Sequence, residues 1–114
     1  MLTIEALQAF GADTKTGLSR CMNNESFYFR MIRMILTDKN FEKLSAAMAE
    51  GDLETAFEAA HTLKGVLGNL SLTPLYSPVA ELTEHLRARK DMDYSGYLQE
   101  VSARFAALRA LCED

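Results

Sequence analysis

Two histidines occur in the chain, His61 and His85, and only one has neighbours that suggest chemistry. His61 stands in Ala60-His61-Thr62-Leu63-Lys64-Gly65, with Gly68 three residues further on. Neutral imidazole predominates near neutral pH, so a ring nitrogen lone pair is available as a nucleophile. Lys64, at i+3, puts an ammonium beside the ring, and at helical spacing Gly65 and Gly68 leave that side without side chains. An open imidazole flanked by a cation suits phosphorylation. The product adds about two negative charges, which Lys64 can partly offset.

These residues need a helix to line them up. Leu53, Ala56, Ala60, Leu63, Leu67 and Leu70 step by three and four, which predicts a helix with one buried seam. At 100° per residue, His61 falls about 135° from the seam centre, Glu58 about 165°, Gly65 about 175° and Gly68 about 115°. Glu58, Gly65 and Gly68 are therefore expected on the open docking face around His61. Each glycine inside an exposed helix costs about 1 kcal/mol against alanine. Such a conflict between local preference and fold tends to mark function.

The remaining apolar residues also recur at helical spacing, and no stretch alternates as a strand would. Thr3 is expected to cap a short first helix that Gly11 and Asp13 end. Residues 11–24 read as a loop holding at most one turn. Asn24 caps a long helix over 24–50, broken near 37–40, with Phe27, Met31 and Met34 or Ile35 inward, and Gly51 closes it. Asp52 caps the His61 helix. Thr73-Pro74 has the form of a cap followed by a first-turn proline, and Pro78 is expected to forfeit a backbone bond and kink the helix's first turns. Asp93 caps a last helix over 94–112. The sum is an all-α, antiparallel up-and-down four-helix bundle with an extra short N-terminal helix, one domain over 1–114.

Composition closes off other classes. Sixteen acidic residues against twelve basic ones give a net charge of −4, which disfavours nucleic acid as a partner. No stretch approaches the roughly 18 apolar residues that span a bilayer, so no membrane insertion is expected and the cytoplasm is the expected compartment. Cys21 and Cys112 offer neither zinc spacing nor a disulfide framework, though one bridge between them stays open. His61 and His85 lack spaced further ligands, so no metal site is expected. His85 reads as a solvated residue, and the run Arg87 to Lys90 as a cationic helix end. With no glycine-rich phosphate loop, the chain has no nucleotide site of its own and is not expected to be an enzyme.

The segment Ala60 to Gly65, with Gly68, Leu70, Leu72 and Leu75 behind it, resembles the signature of histidine-containing phosphotransfer (HPt) domains. Gly17-Leu18-Ser19-Arg20 and Ala49-Glu50-Gly51-Asp52-Leu53 resemble the same family, so the likeness runs from about residue 17 to 90. The resemblance implies His61 as phospho-acceptor, with Lys64 and Gly65 matching the motif. It implies response-regulator receiver domains and a hybrid sensor histidine kinase as partners of a monomeric phosphorelay intermediate. It implies no cofactor on this chain, Mg²⁺ residing on the receiver. Ser71 stands where the family commonly has glycine. The residue that orients the histidine from the following helix falls at Thr83 or Glu84. A helical adaptor that binds a receiver or kinase without carrying phosphate is the alternative.

Overall fold

The computed structural model describes residues 1–113, and among them there are seven helices and no strand. They are α1 (Ile4–Phe10), α2 (Thr14–Arg20), α3 (Glu25–Ile35), α4 (Asn40–Glu50), α5 (Leu53–Asn69), α6 (Thr73–Arg87) and α7 (Ser95–Cys112). Short polar side chains start most of them by accepting a bond from a first-turn N–H. Thr3 takes Ala6, Asp13 takes Thr16, Asn24 takes Phe27 and Asp52 takes Thr55. Gly51 ends α4 with a φ of 72°, a left-handed conformation that other residues adopt at a cost.

Helix α5 is the central element, packed on α4 along one side and α6 along the other, and α6 in turn packs on α7. Phe41 of α4 and Phe105 of α7 bring their rings to 4.6 Å. The α5 seam is buried at Ala56, Ala60, Leu63, Leu67 and Leu70 as the spacing predicts, with Ala59 added and Leu53 half-buried. From α6, Leu75, Val79, Leu82 and Leu86 meet it, each fully buried.

Several expectations need correction. Residues 14–20 form a two-turn helix, not a loop, because Asp13 bonds both the N–H and the hydroxyl of Thr16. Gly17 hides that helix in the sequence, yet a Cβ there would lie 2.4 Å from the Tyr28 hydroxyl, so only glycine admits the Tyr28 ring. Tyr28, Ile32 and Ile35 form the buried face of α3: the first two lie one residue beyond the expected Phe27 and Met31, and of the two candidates at the third position Ile35 is buried while Met34 is 57% exposed. The break in the long helix is a clean end. Thr37 and Asp38 N–H groups turn back to Met34 and Ile35, and the Asp38 carboxylate accepts from the Asn40 N–H to launch α4.

Thr73 is not a cap. Leu72, fully buried, holds the cap position with no side-chain bond, which puts Pro74 one position further into α6. Pro78 is buried and α6 runs through it, though proline removes the bond that would reach the carbonyl four residues back. Asp93 is not the cap of the last helix either: Tyr94 holds that position and α7 begins at Ser95, while Asp93, one residue earlier, accepts from the Ser95 N–H at 2.9 Å.

Helices α2 and α3 are tied to the end of α5. Tyr28 donates its hydroxyl to the Leu70 carbonyl at 2.9 Å, and Arg20 donates to the Gly68 carbonyl. The Asp13 N–H donates to the Ser71 carbonyl at 3.0 Å. Burial pushes the Tyr28 phenol up to about 12, so the hydroxyl stays a donor through neutral and mildly alkaline pH.

Candidate functional site

His61 sits in the middle of α5, directly after the fully buried Ala60 and on the exposed side of the helix. Its backbone is therefore fixed by the packed seam beneath it while its ring faces solvent. The ring is not unsupported. Phe57, one turn earlier, lies under it with centroids 5.6 Å apart and planes 16° from parallel. The guanidinium carbon of Arg87, at the end of α6, stands 4.9 Å from the Phe57 ring centre.

Lys64 is half-buried on the α6 side, and its Nζ lies 3.8 Å from Oε2 of Glu84. Glu84 also accepts from Arg87 at 3.3 Å through Nε and at 3.5 Å through a terminal nitrogen. The Arg87 hydrogen bond holds the Glu84 carboxyl below the usual carboxylate range, and the nearby Lys64 and His61 act in the same direction. One carboxylate thus holds two cations, Lys64 and Arg87.

Of the glycines, Gly65 is open as expected: a Cβ there would meet no atom within 4 Å. Gly68 is not. A Cβ at Gly68 would come 3.1 Å from the Tyr76 ring, so α6 leans against that position. A shallow depression of about 300 Å³ gathers His61, Lys64, Gly65, Gly68, Asn69 and Tyr76. Glu58 lies outside it. Its carboxylate reaches Lys43 of α4 at 3.8 Å, so it faces the opposite flank of α5 from Lys64.

On the following helix, Thr83 is fully buried and donates its hydroxyl to the Val79 carbonyl, which takes it out of reach as a partner for the imidazole. Glu84 remains on the His61 side. His85 is half-buried and is not simply solvated: its Nε2 lies 3.1 Å from the Tyr97 hydroxyl of α7. Cys21 and Cys112 are separate free thiols. Among the described residues no group of three or more His, Cys, Asp or Glu side chains is placed to hold a metal ion.

The sequence reading missed Phe57, Tyr76 and Arg87. Phe57 carries a detectable signal, since i and i+4 side chains meet on a helix. Arg87 belongs with Glu84 and Phe57 rather than serving only as a helix-end charge.

In comparison with protein families, the Hpt-domain model matches residues 36–113. Comparisons with curated proteins and with solved structures gave no significant match. No helix among the described residues is long and apolar enough to cross a membrane.

Proposed function

The chain belongs to the Hpt-domain family, whose work is histidine phosphotransfer in phosphorelays, and on that premise we propose that His61 is its phospho-acceptor. The observation that carries this reading is the setting of the ring: exposed at mid-helix, on a fully buried seam, with open space one turn away at Gly65. In the proposed step a neutral imidazole nitrogen attacks the phosphorus of a receiver's aspartyl phosphate. An N–P bond forms, the P–O bond to the aspartate breaks, and the aspartate leaves as carboxylate. The reverse sequence passes the phosphoryl group to a second receiver.

In this reading the chain brings a positioned nucleophile, Lys64 and an unobstructed approach over Gly65. The receiver brings Mg²⁺, the aspartate and most of the stabilisation of the transferring group. The chain acts as one monomeric, cytoplasmic domain over residues 1–114, exchanging with receiver domains and a hybrid sensor kinase, without catalysing turnover of a nucleotide. Glu58, exposed on the Lys43 flank of α5, borders this surface, and Gly68 contributes by letting Tyr76 close over the end of α5.

The test is incubation with phosphorylated receiver domains, followed by mapping of any acid-labile, base-stable phosphate. Phosphate on His61 supports the reading. Tight receiver binding with no uptake of phosphate overturns it in favour of an adaptor.

A further inference from the structure

Phe57 does more in this molecule than edge the core. A phenyl ring nearly parallel to the His61 imidazole at 5.6 Å restricts rotation of the imidazole about its side-chain bonds. The Phe57 ring is itself held from the α6 side, where the Arg87 guanidinium sits 4.9 Å from its centre and is tethered by Glu84. A mid-helix histidine on a solvent face would otherwise exchange between rotamers, and only one of them directs a given ring nitrogen outward.

We propose that Phe57, braced by Arg87, is a positioning residue for His61, holding the imidazole in the rotamer that meets the incoming phosphorus. The proposal rests on His61 being the acceptor. It requires that Phe57 act on the rate of transfer and not on the affinity for the partner. It also requires that Arg87 act through Phe57.

The experiment uses the full chain and, as donor, a receiver domain charged at its aspartate by acetyl phosphate. Transfer is followed as receiver concentration is varied, beside NMR of the His61 ring protons. Phe57→Leu is expected to lower the maximal transfer rate about twofold to tenfold, the range of an aromatic pair. The half-saturating receiver concentration stays unchanged, and the His61 ring protons lose the ring-current shift that a stacked phenyl gives. Phe57→Tyr restores both. Arg87→Ala, at a half-exposed side chain, lowers the rate about twofold to fivefold, and the Phe57→Leu, Arg87→Ala pair is no slower than Phe57→Leu alone.

An unchanged maximal rate in Phe57→Leu overturns the proposal, as does a change confined to half-saturation, which would make Phe57 a docking residue. Multiplying effects in the double variant overturn the role given to Arg87. If Phe57→Leu fails to fold, Arg87→Ala with its ring-proton readout decides alone. Should His61→Gln still take up phosphate, the acceptor assignment falls instead, and that result is read independently of Phe57.

Discussion

The ammonium of Lys64 and the carboxylate of Glu84 stand 3.8 Å apart, so the cation one turn from His61 already has a partner on the neighbouring helix. A phosphoryl group on His61 would have to share Lys64 with Glu84 or take it over. Both side chains are at least partly exposed, and such pairs contribute little in water. Lys64→Ala should therefore slow transfer or shorten phosphohistidine lifetime only several-fold. Glu84→Gln should lengthen that lifetime several-fold, because it frees the cation and removes a like charge. Both effects should shrink as salt is raised. Phosphohistidine decay measured across ionic strength checks this, and a thousand-fold loss in folded Lys64→Ala would show a direct chemical role instead.

His61→Gln should abolish phosphoryl acceptance with almost no change in helicity or melting temperature, since the ring lies outside the core. Leu63→Ala should do the reverse. Leu63 is fully buried, and its truncation should lower stability by about 2–5 kcal/mol, read by denaturant unfolding.

The two glycines of α5 should behave differently. Gly65→Leu meets open space, so the fold should hold and gain up to about 1 kcal/mol of helix preference. Transfer should still fall steeply, because a branched side chain one turn from the ring holds a receiver away. Gly68→Ala meets the Tyr76 ring at 3.1 Å and must displace that ring slightly, so its gain in melting temperature should be smaller than that of Gly65→Ala, with near-normal transfer. Paired melts and transfer rates for these variants separate the outcomes.

Gly17→Ala should be the most damaging of the glycine changes. Its Cβ would overlap the Tyr28 hydroxyl and ring, and that ring is fully buried. Tyr28→Phe keeps the ring but leaves the Leu70 carbonyl without its donor, at about 1–3 kcal/mol. In the Gly17→Ala background Tyr28→Phe should recover part of the loss by removing the clashing oxygen, which a double-mutant cycle would show.

Acid should loosen the helix starts. The bonds from the Thr16 hydroxyl and N–H hold the Asp13 carboxyl below its ordinary value, and those from Thr55 and Ser95 do the same for Asp52 and Asp93. A depressed folded-state pKa contributes stability that is complete above the unfolded value and lost as pH falls through the folded one. Unfolding midpoints should thus be flat above about pH 4–5 and drop below it. Asp52→Ala should lower the melting temperature by several degrees at neutral pH and make the acid limb shallower.

The seam of α5 was legible because one helix face repeats Leu and Ala at three- and four-residue steps, and His61 follows from it by rotation alone. The caps Thr3, Asn24 and Asp52 were legible for the same local reason: each bonds the N–H three residues on. What escaped depends on partners far away in the chain. Helix α2 was hidden because Gly17 reads as a breaker until Tyr28, on the next helix, is seen to need the space. The face of α3 was misread by one position because Phe27 and Met31 are as apolar as Tyr28 and Ile32. Gly68 was taken as open because Tyr76 belongs to another helix, and the pairing of Glu58 with Lys43 was hidden because Lys43 belongs to α4.

The family match begins at residue 36, yet the carbonyls of Gly68, Leu70 and Ser71 receive their bonds from Arg20, Tyr28 and Asp13. The edge of the recognisable sequence is therefore not an edge of the folding unit. Anyone transplanting the His61 helix into another scaffold, or trimming the chain to its matched segment, would strip those donors from the last turn of α5. That turn carries Gly68 and lies beside the depression that His61 and Gly65 line, so the chain ahead of the match helps to hold that face.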